Sequence, residues 1–161
     1  MKKIFLTAAL TATLFTGAFA ADAIKVTKAS YQLQAELYNQ FAGAENIIWI
    51  PTSTGQKASF DIDGVKMSAY FNNQGQFLGH TEAVTFRQLP SAAKKQLAET
   101  YKGYMVNEVL RFQPSRVIST YERVVGDGQD GAYYVDLKGD AQEVLVKVTP
   151  EADVTIEKTI K

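Results

Sequence analysis

The sequence predicts an α+β fold: two tandem repeats, each a helix packed on an antiparallel β-sheet. Three observations predict it. First, apolar residues alternate on both sides of Asp63-Gly64, with Ala58, Phe60 and Ile62 before it and Val65, Met67, Ala69 and Phe71 after it. Period-two alternation marks half-buried strands, and Asp-Gly between two such runs is a strong tight-turn signal. Second, the pattern returns 77 positions later: Ala58, Phe60, Met67, Ala69, Phe71 and Phe77 fall on Val135, Leu137, Val144, Val146, Val148 and Val154. Third, two helix-like stretches, Ser30–Phe41 and Ser91–Lys102, each precede a run of strands. Recurrence at a fixed spacing reads as internal duplication.

The chain opens with a secretory signal peptide, residues 1–20. Lys2 and Lys3 supply its charge, Ile4 to Phe15 its apolar stretch, and Ala18-Phe19-Ala20 its cleavage site. The apolar stretch is too short to span a bilayer, which takes roughly 20 residues, and no later run is long enough. The expectation is a periplasmic or secreted protein with no membrane span, its mature part being residues 21–161 and its two repeats about 27–86 and 87–161.

Setting Lys2 and Lys3 aside from 17 basic side chains leaves 15, against 17 acidic ones. So even a balance offers no electrostatic footprint for nucleic acid. Cysteine is absent, so an exported chain of this kind must rely on its core rather than on disulfides.

Within the first repeat, Leu33, Leu37 and Phe41 form an i, i+4, i+8 stripe with Tyr38 beside it. Thr27 or Ser30 is placed to cap that helix and Gly43 to end it. Asn46–Ile50 reads as a short strand stopped by Pro51, and the face of its Trp49 is open, with core the simpler reading. The two-residue turn sets Ile62 against Val65, Phe60 against Met67, Ala58 against Ala69, and Asp61 against Lys66 as an opposite-charge pair. A second turn falls at Asn72–Gly75, and Phe77 opens the next strand. Thr81–Phe86 continues as strand or connector. In the second repeat, Pro90 opens a helix whose stripe is Ala93, Leu97 and Tyr101, and Gly103 ends it. Met105–Phe112 is then a strand. The second repeat carries about 17 extra residues, Pro114–Gly131, as judged by matching the patterns of the two repeats.

The order and wording of these elements resemble the PepSY-like domains of bacterial envelope proteins, whose fold is related to that of the β-lactamase-inhibitor protein. The resemblance rests on Phe41, Trp49, Ala58–Phe60, Gly64, Ala69-Tyr70-Phe71, Gly75, Leu89-Pro90, Ala93, Tyr101-Lys102-Gly103-Tyr104, Val109, Tyr133-Tyr134-Val135 and Leu137. It implies two helix-plus-sheet repeats with continuous or adjoining sheets, in a noncatalytic envelope protein that binds, inhibits or regulates another protein. Gln56-Lys57 stands where the family often has an aromatic, and Pro114–Gly131 is longer than usual. No functional residue is carried over.

The candidate chemistry is sparse. His80 is the only histidine, which excludes a multi-histidine metal site, and a strand-end surface histidine is its simpler reading. The acids Asp61/Asp63, Asp127/Asp130 and Asp136/Asp140 could be read as a carboxylate pair of a small hydrolase. Turns account for Asp63 and Asp140, and Lys66 accounts for Asp61. Asp127-Gly-Gln-Asp130-Gly is loosely like a calcium loop but lacks EF-hand spacing. The expectation is therefore a protein that is not an enzyme and has no cofactor or metal. The remaining candidate is the sheet face turned away from the helices. There Ser59, Asp61, Lys66, Ser68 and Tyr70 are echoed by Asp136, Lys138, Glu143, Leu145 and Lys147, with Tyr134 beyond. Tyrosine among short polar residues suits protein contact. Tyr70, Tyr134, Leu145, Lys66 and Lys147 are the candidate partner-binding residues, for a protein or peptide in the cell envelope. The alternatives are the hydrolase and a calcium- or ligand-binding envelope sensor.

Overall fold

The computed structural model describes residues 27–115 and 131–160. The signal peptide, most of the Pro114–Gly131 insertion, and Asp127 and Asp130 lie outside the described residues. The chain divides into two compact units, Met1–Leu78 and Gly79–Lys161.

In the first unit, helix α1 spans Tyr31–Gln40. Ser30, not Thr27, caps it: Ser30 is extended, and its Oγ accepts from the Leu33 amide at 3.3 Å. Such a cap satisfies one of the amides that a first helical turn leaves without a partner. The Phe41 amide donates to the Leu37 carbonyl at 2.8 Å to close the last turn. Strand β1 (Glu45–Thr52) pairs with β2 (Gly55–Ile62), and β2 with β3 (Val65–Asn72), both antiparallel. The strand runs through Pro51 instead of stopping there. Strand β1 ends the sheet, where a missing amide costs no ladder hydrogen bond. The β2–β3 hairpin has the register expected from its turn, Ile62↔Val65 through Asp61↔Lys66 and Phe60↔Met67 to Ala58↔Ala69. Asp63 and Gly64 both adopt positive φ, 50° and 77°, as a type I′ turn needs.

The alternating residues of this hairpin meet the helix. Ala58, Phe60, Ala69 and Phe71 pack with Leu33, Leu37 and Trp49. Phe41 and Phe60 lie 5.0 Å apart, and Trp49 and Phe71 5.6 Å, within the range of favourable ring pairs. Trp49 therefore faces the core. Burial of each leucine or phenylalanine side chain here contributes about 1.5–3 kcal/mol, before the entropy of ordering it is subtracted.

Strand β4 (Phe77–Ala83) leads into a 3-10 turn, Phe86–Gln88, and helix α2, Ser91–Thr100. Pro90 occupies the cap position of that helix, with φ −53° and ψ 140°. In the second unit, β5 (Met105–Pro114), β6 (Ala132–Lys138), β7 (Glu143–Val148) and β8 (Val154–Thr159) follow, each antiparallel to the next. Ala93 and Leu97 of the helix pack with Leu89, Val109, Val135, Leu137, Val144, Val146 and Val148.

The expected class, two tandem repeats of a helix on its own sheet, is overturned. Among the described residues, all eight strands belong to one antiparallel sheet in the order β1 to β8, and the architecture is mostly sheet, with two ten-residue α-helices. Residues 79–83 of β4 pair with β5, from Gly79↔Pro114 to Ala83↔Leu110, so the strands do not part into two separate sheets. Side-chain alternation cannot report this pairing, because main-chain groups make it. Each helix buries two side chains, Leu33 and Leu37 in one and Ala93 and Leu97 in the other, so the helices are minor partners of the sheet. The spacings read from the sequence do map element onto element. A shift of 60 residues carries α1 onto α2 and the start of β1 onto that of β5, and a shift of 77 carries the starts of β2 and β4 onto those of β6 and β8.

Candidate functional site

The second sheet face, expected to be polar and open, is only partly so. Tyr70 is 2% exposed, Tyr134 5% and Leu145 2%. Lys66 is exposed, near the hairpin tip, and Lys147 is half-buried. Of the five candidate residues, three are thus buried side chains. Alternation separates the two faces of a strand but does not say whether the second face is covered, which is why the sequence left them open. The register sets Tyr134 opposite Lys147, and Asp136 opposite Leu145, so four of these residues share one face of the β6–β7 pair. Burial pushes the Tyr134 phenol well above its usual range, and the negative charge of Glu157 adds to the effect.

That face also holds buried polar groups, of which the sequence had placed Asp136 there but not Lys57. Lys57 is buried at 3% exposure, set between Ile50 and Tyr70 in the ladder. Asp136 is equally buried, and its Oδ2 accepts from Asn107 Nδ2 at 2.6 Å. Toward the tip of the first hairpin the face is wetter: Ser59 and Ser68 hydroxyls lie 3.2 Å apart, and Asp61, opposite Lys66, accepts from Asn46 Nδ2 at 3.0 Å.

The carboxylates read as a possible hydrolytic pair are not gathered into a described cavity. Asp61 is held by Asn46, Asp63 sits in the exposed turn, Asp136 is buried, and Asp140 is exposed beyond the end of β6. Among the described residues, no group of three or more histidine, cysteine or acidic side chains is placed to hold a metal ion. No described helix is long and apolar enough to cross a membrane.

His80 is half-buried and belongs to a cross-strand network. On β4 and β5 the register pairs His80 with Gln113 and Glu82 with Arg111. Arg111 forms an ion pair with Glu82. With its amide assigned so that the oxygen faces donors, Gln113 accepts from the same guanidinium, from Nε at 3.0 Å and Nη2 at 2.7 Å. Burial lowers the His80 pKa; Glu82 opposes the shift and Arg111 adds to it. The sequence could not assemble these four residues without the β4–β5 pairing.

The first unit contains a cavity of about 370 Å³ between the start of α1, the β1–β2 turn and the Asn72–Gly75 turn. Thr27, Ser30, Gln56, Asn73, Gln74 and Gly75 are among its walls, and no described residue lining it is charged. One wall is preorganised. Asn72 Oδ1 accepts from the amides of Gln74 and Gln76, both at 2.9 Å, and Asn72 Nδ2 donates to Gln76 Oε1 at 2.7 Å. Thr27 Oγ1 and Gln56 Oε1 are shielded from solvent and have no hydrogen-bond partner among the described residues.

This sheet, with its two short helices, defines a class: the fold is BLIP-like. It is shared with a BLIP-like protein from Bacteroides fragilis, at a TM-score of 0.62 and 17% identity over 84% of this chain and 89% of that one. A DUF2874 family protein from Bacteroides uniformis is similar at a TM-score of 0.68 and 18% identity, over 83% and 91% of the two chains. A protein from Bacteroides eggerthii, assigned provisionally to the periplasm, is similar at 0.69 and 15%, over 83% and 91%. At these identities the likeness is one of fold. No protein-family model and no curated protein matches the sequence, so the PepSY-like part of the resemblance rests on the residues that suggested it.

Proposed function

We propose that this chain is an exported, noncatalytic binding module acting on a protein or peptide partner in the cell envelope. The observation that carries the reading is the fold shared with the BLIP-like protein from Bacteroides fragilis. The provisional periplasmic assignment of a second neighbour and the signal-peptide pattern of residues 1–20 support the compartment. The finer reading is of a PepSY-like inhibitor or regulator that engages its partner through the second sheet face. On that reading Lys66 and Lys147 meet the partner, while Tyr70, Tyr134 and Leu145 hold the face in shape from beneath.

The test is retention of envelope proteins on the immobilised protein, followed by calorimetry with each purified candidate. The reading expects one protein that binds the parent and binds the Lys66→Glu/Lys147→Glu variant at least about tenfold more weakly. Equal binding by that variant would remove the sheet face from the reading. A parent that binds no envelope protein or peptide in calorimetry would overturn the binding-module reading itself.

A further inference from the structure

We propose that the cavity beside the start of α1 is a binding site for a neutral acetamido sugar. The proposal is independent of the protein-binding reading and rests on the chemistry of the walls. A charged ligand would enter a cavity whose described walls carry no opposite charge, and an unpaired charge taken from water is costly. An apolar ligand would leave the amides and hydroxyls of Ser30, Asn73 and Gln74 without water and without partners, which is also unfavourable. What remains is a neutral ligand rich in donors and acceptors. At about 370 Å³ the cavity lies at the small end of ligand sites, which run from roughly 300 to 1,000 Å³.

The two orphaned oxygens sharpen the assignment. Gln56 Oε1 needs a donor, and the N–H of an acetamido group supplies one. Thr27 Oγ1 and a sugar hydroxyl can each donate to the other. Both oxygens are shielded from solvent, so each side chain must rotate toward the cavity to meet the ligand. The energetic return is the removal of two unsatisfied buried groups, each of which destabilises the unliganded state. The Ser30 oxygen already accepts from the Leu33 amide, which leaves its O–H to donate. Leu33 and Pro51, also on the wall, offer apolar surface to the acetyl methyl. The Asn72 hydrogen bonds fix the opposite turn before any ligand arrives, which lowers the ordering cost of binding.

The experiment is a titration of the purified protein with N-acetylglucosamine, followed by amide chemical shifts, with glucosamine and glucose as controls. The proposal expects saturable shifts at Gln56, Asn73 and Gln74 with the acetamido sugar at millimolar concentration, and weaker binding of both controls. Gln56→Met should weaken binding by about tenfold. If that variant fails to fold, Asn73→Trp replaces it: Asn73 is exposed, and a large side chain there should obstruct the mouth and abolish the shifts. Absence of shifts at up to about 50 mM sugar, a range weaker than most specific sites, would overturn the proposal. So would undiminished binding by a folded Gln56→Met or Asn73→Trp variant, or equal affinity for all three sugars.

Discussion

A methyl group added to Gly55 would sit 1.9 Å from the Phe71 carbonyl oxygen and 2.7 Å from the Asn72 carbonyl carbon. Both obstacles are backbone, in the paired strand β3, so no side-chain rotation relieves the clash. Gly55→Ala should cost about 3 kcal/mol, at the upper end for overpacking, read as a lower urea midpoint at unchanged m-value. Nothing in the sequence marks Gly55 apart from the other ten glycines, because the constraint comes from a neighbouring strand. His80 yields a second prediction. Its pKa is lowered in the folded state from an ordinary 6.5, so below that value the unfolded chain binds the proton more readily. Its contribution to stability is full above pH 6.5 and is lost as pH falls through the lowered folded value. Urea titrations at about pH 7.5 and about pH 5 should show the parent losing more stability than His80→Asn between the two. An equal loss in both would remove His80 from the acid sensitivity.

At the scale of elements, the hairpin was the most legible feature, since turn, alternation and register are local and agree with one another. Asp63-Gly64 demanded a two-residue turn, and the ladder of β2 and β3 follows from it. Helix α1 was legible for the same reason: its leucines, its serine cap and Gly43 all lie within fourteen residues. That cap is directly testable. Ser30→Ala removes the acceptor for the Leu33 amide and should cost about 1 kcal/mol, seen as a lower thermal midpoint. Ser30→Asp, which keeps an acceptor at the cap, should restore most of the loss. The polar network of Glu82, Arg111 and Gln113 was illegible because its members come from strands separated by a helix. No local pattern tells that β4 lies beside β5.

At the scale of the molecule, the same gap explains why the sequence predicts two sheets where the described strands form one. Two spacings, 60 and 77 residues, located the repeated elements, but repetition does not reveal how strands are ordered in a sheet, and the eight strands form one. It also explains the candidate surface. The period of two placed Tyr70, Tyr134 and Leu145 correctly on the face away from the helices, yet burial is a property of the assembled fold. Structure and binding can therefore be separated by mutation. Leu145 is 2% exposed, and Leu145→Ala should cost about 2–5 kcal/mol, so this variant should show a lowered thermal midpoint before any change in contacts with a partner is considered. Lys66 is exposed and Lys147 half-buried, and charge reversal at Lys66, which sets a second negative charge opposite Asp61, should cost no more than about 1 kcal/mol. If the second face meets a partner, binding measured well below both thermal midpoints should fall in the lysine variants and be largely kept in Leu145→Ala. The opposite ranking, with binding lost only in Leu145→Ala while that variant is still folded, would mean that the face opens to engage its partner.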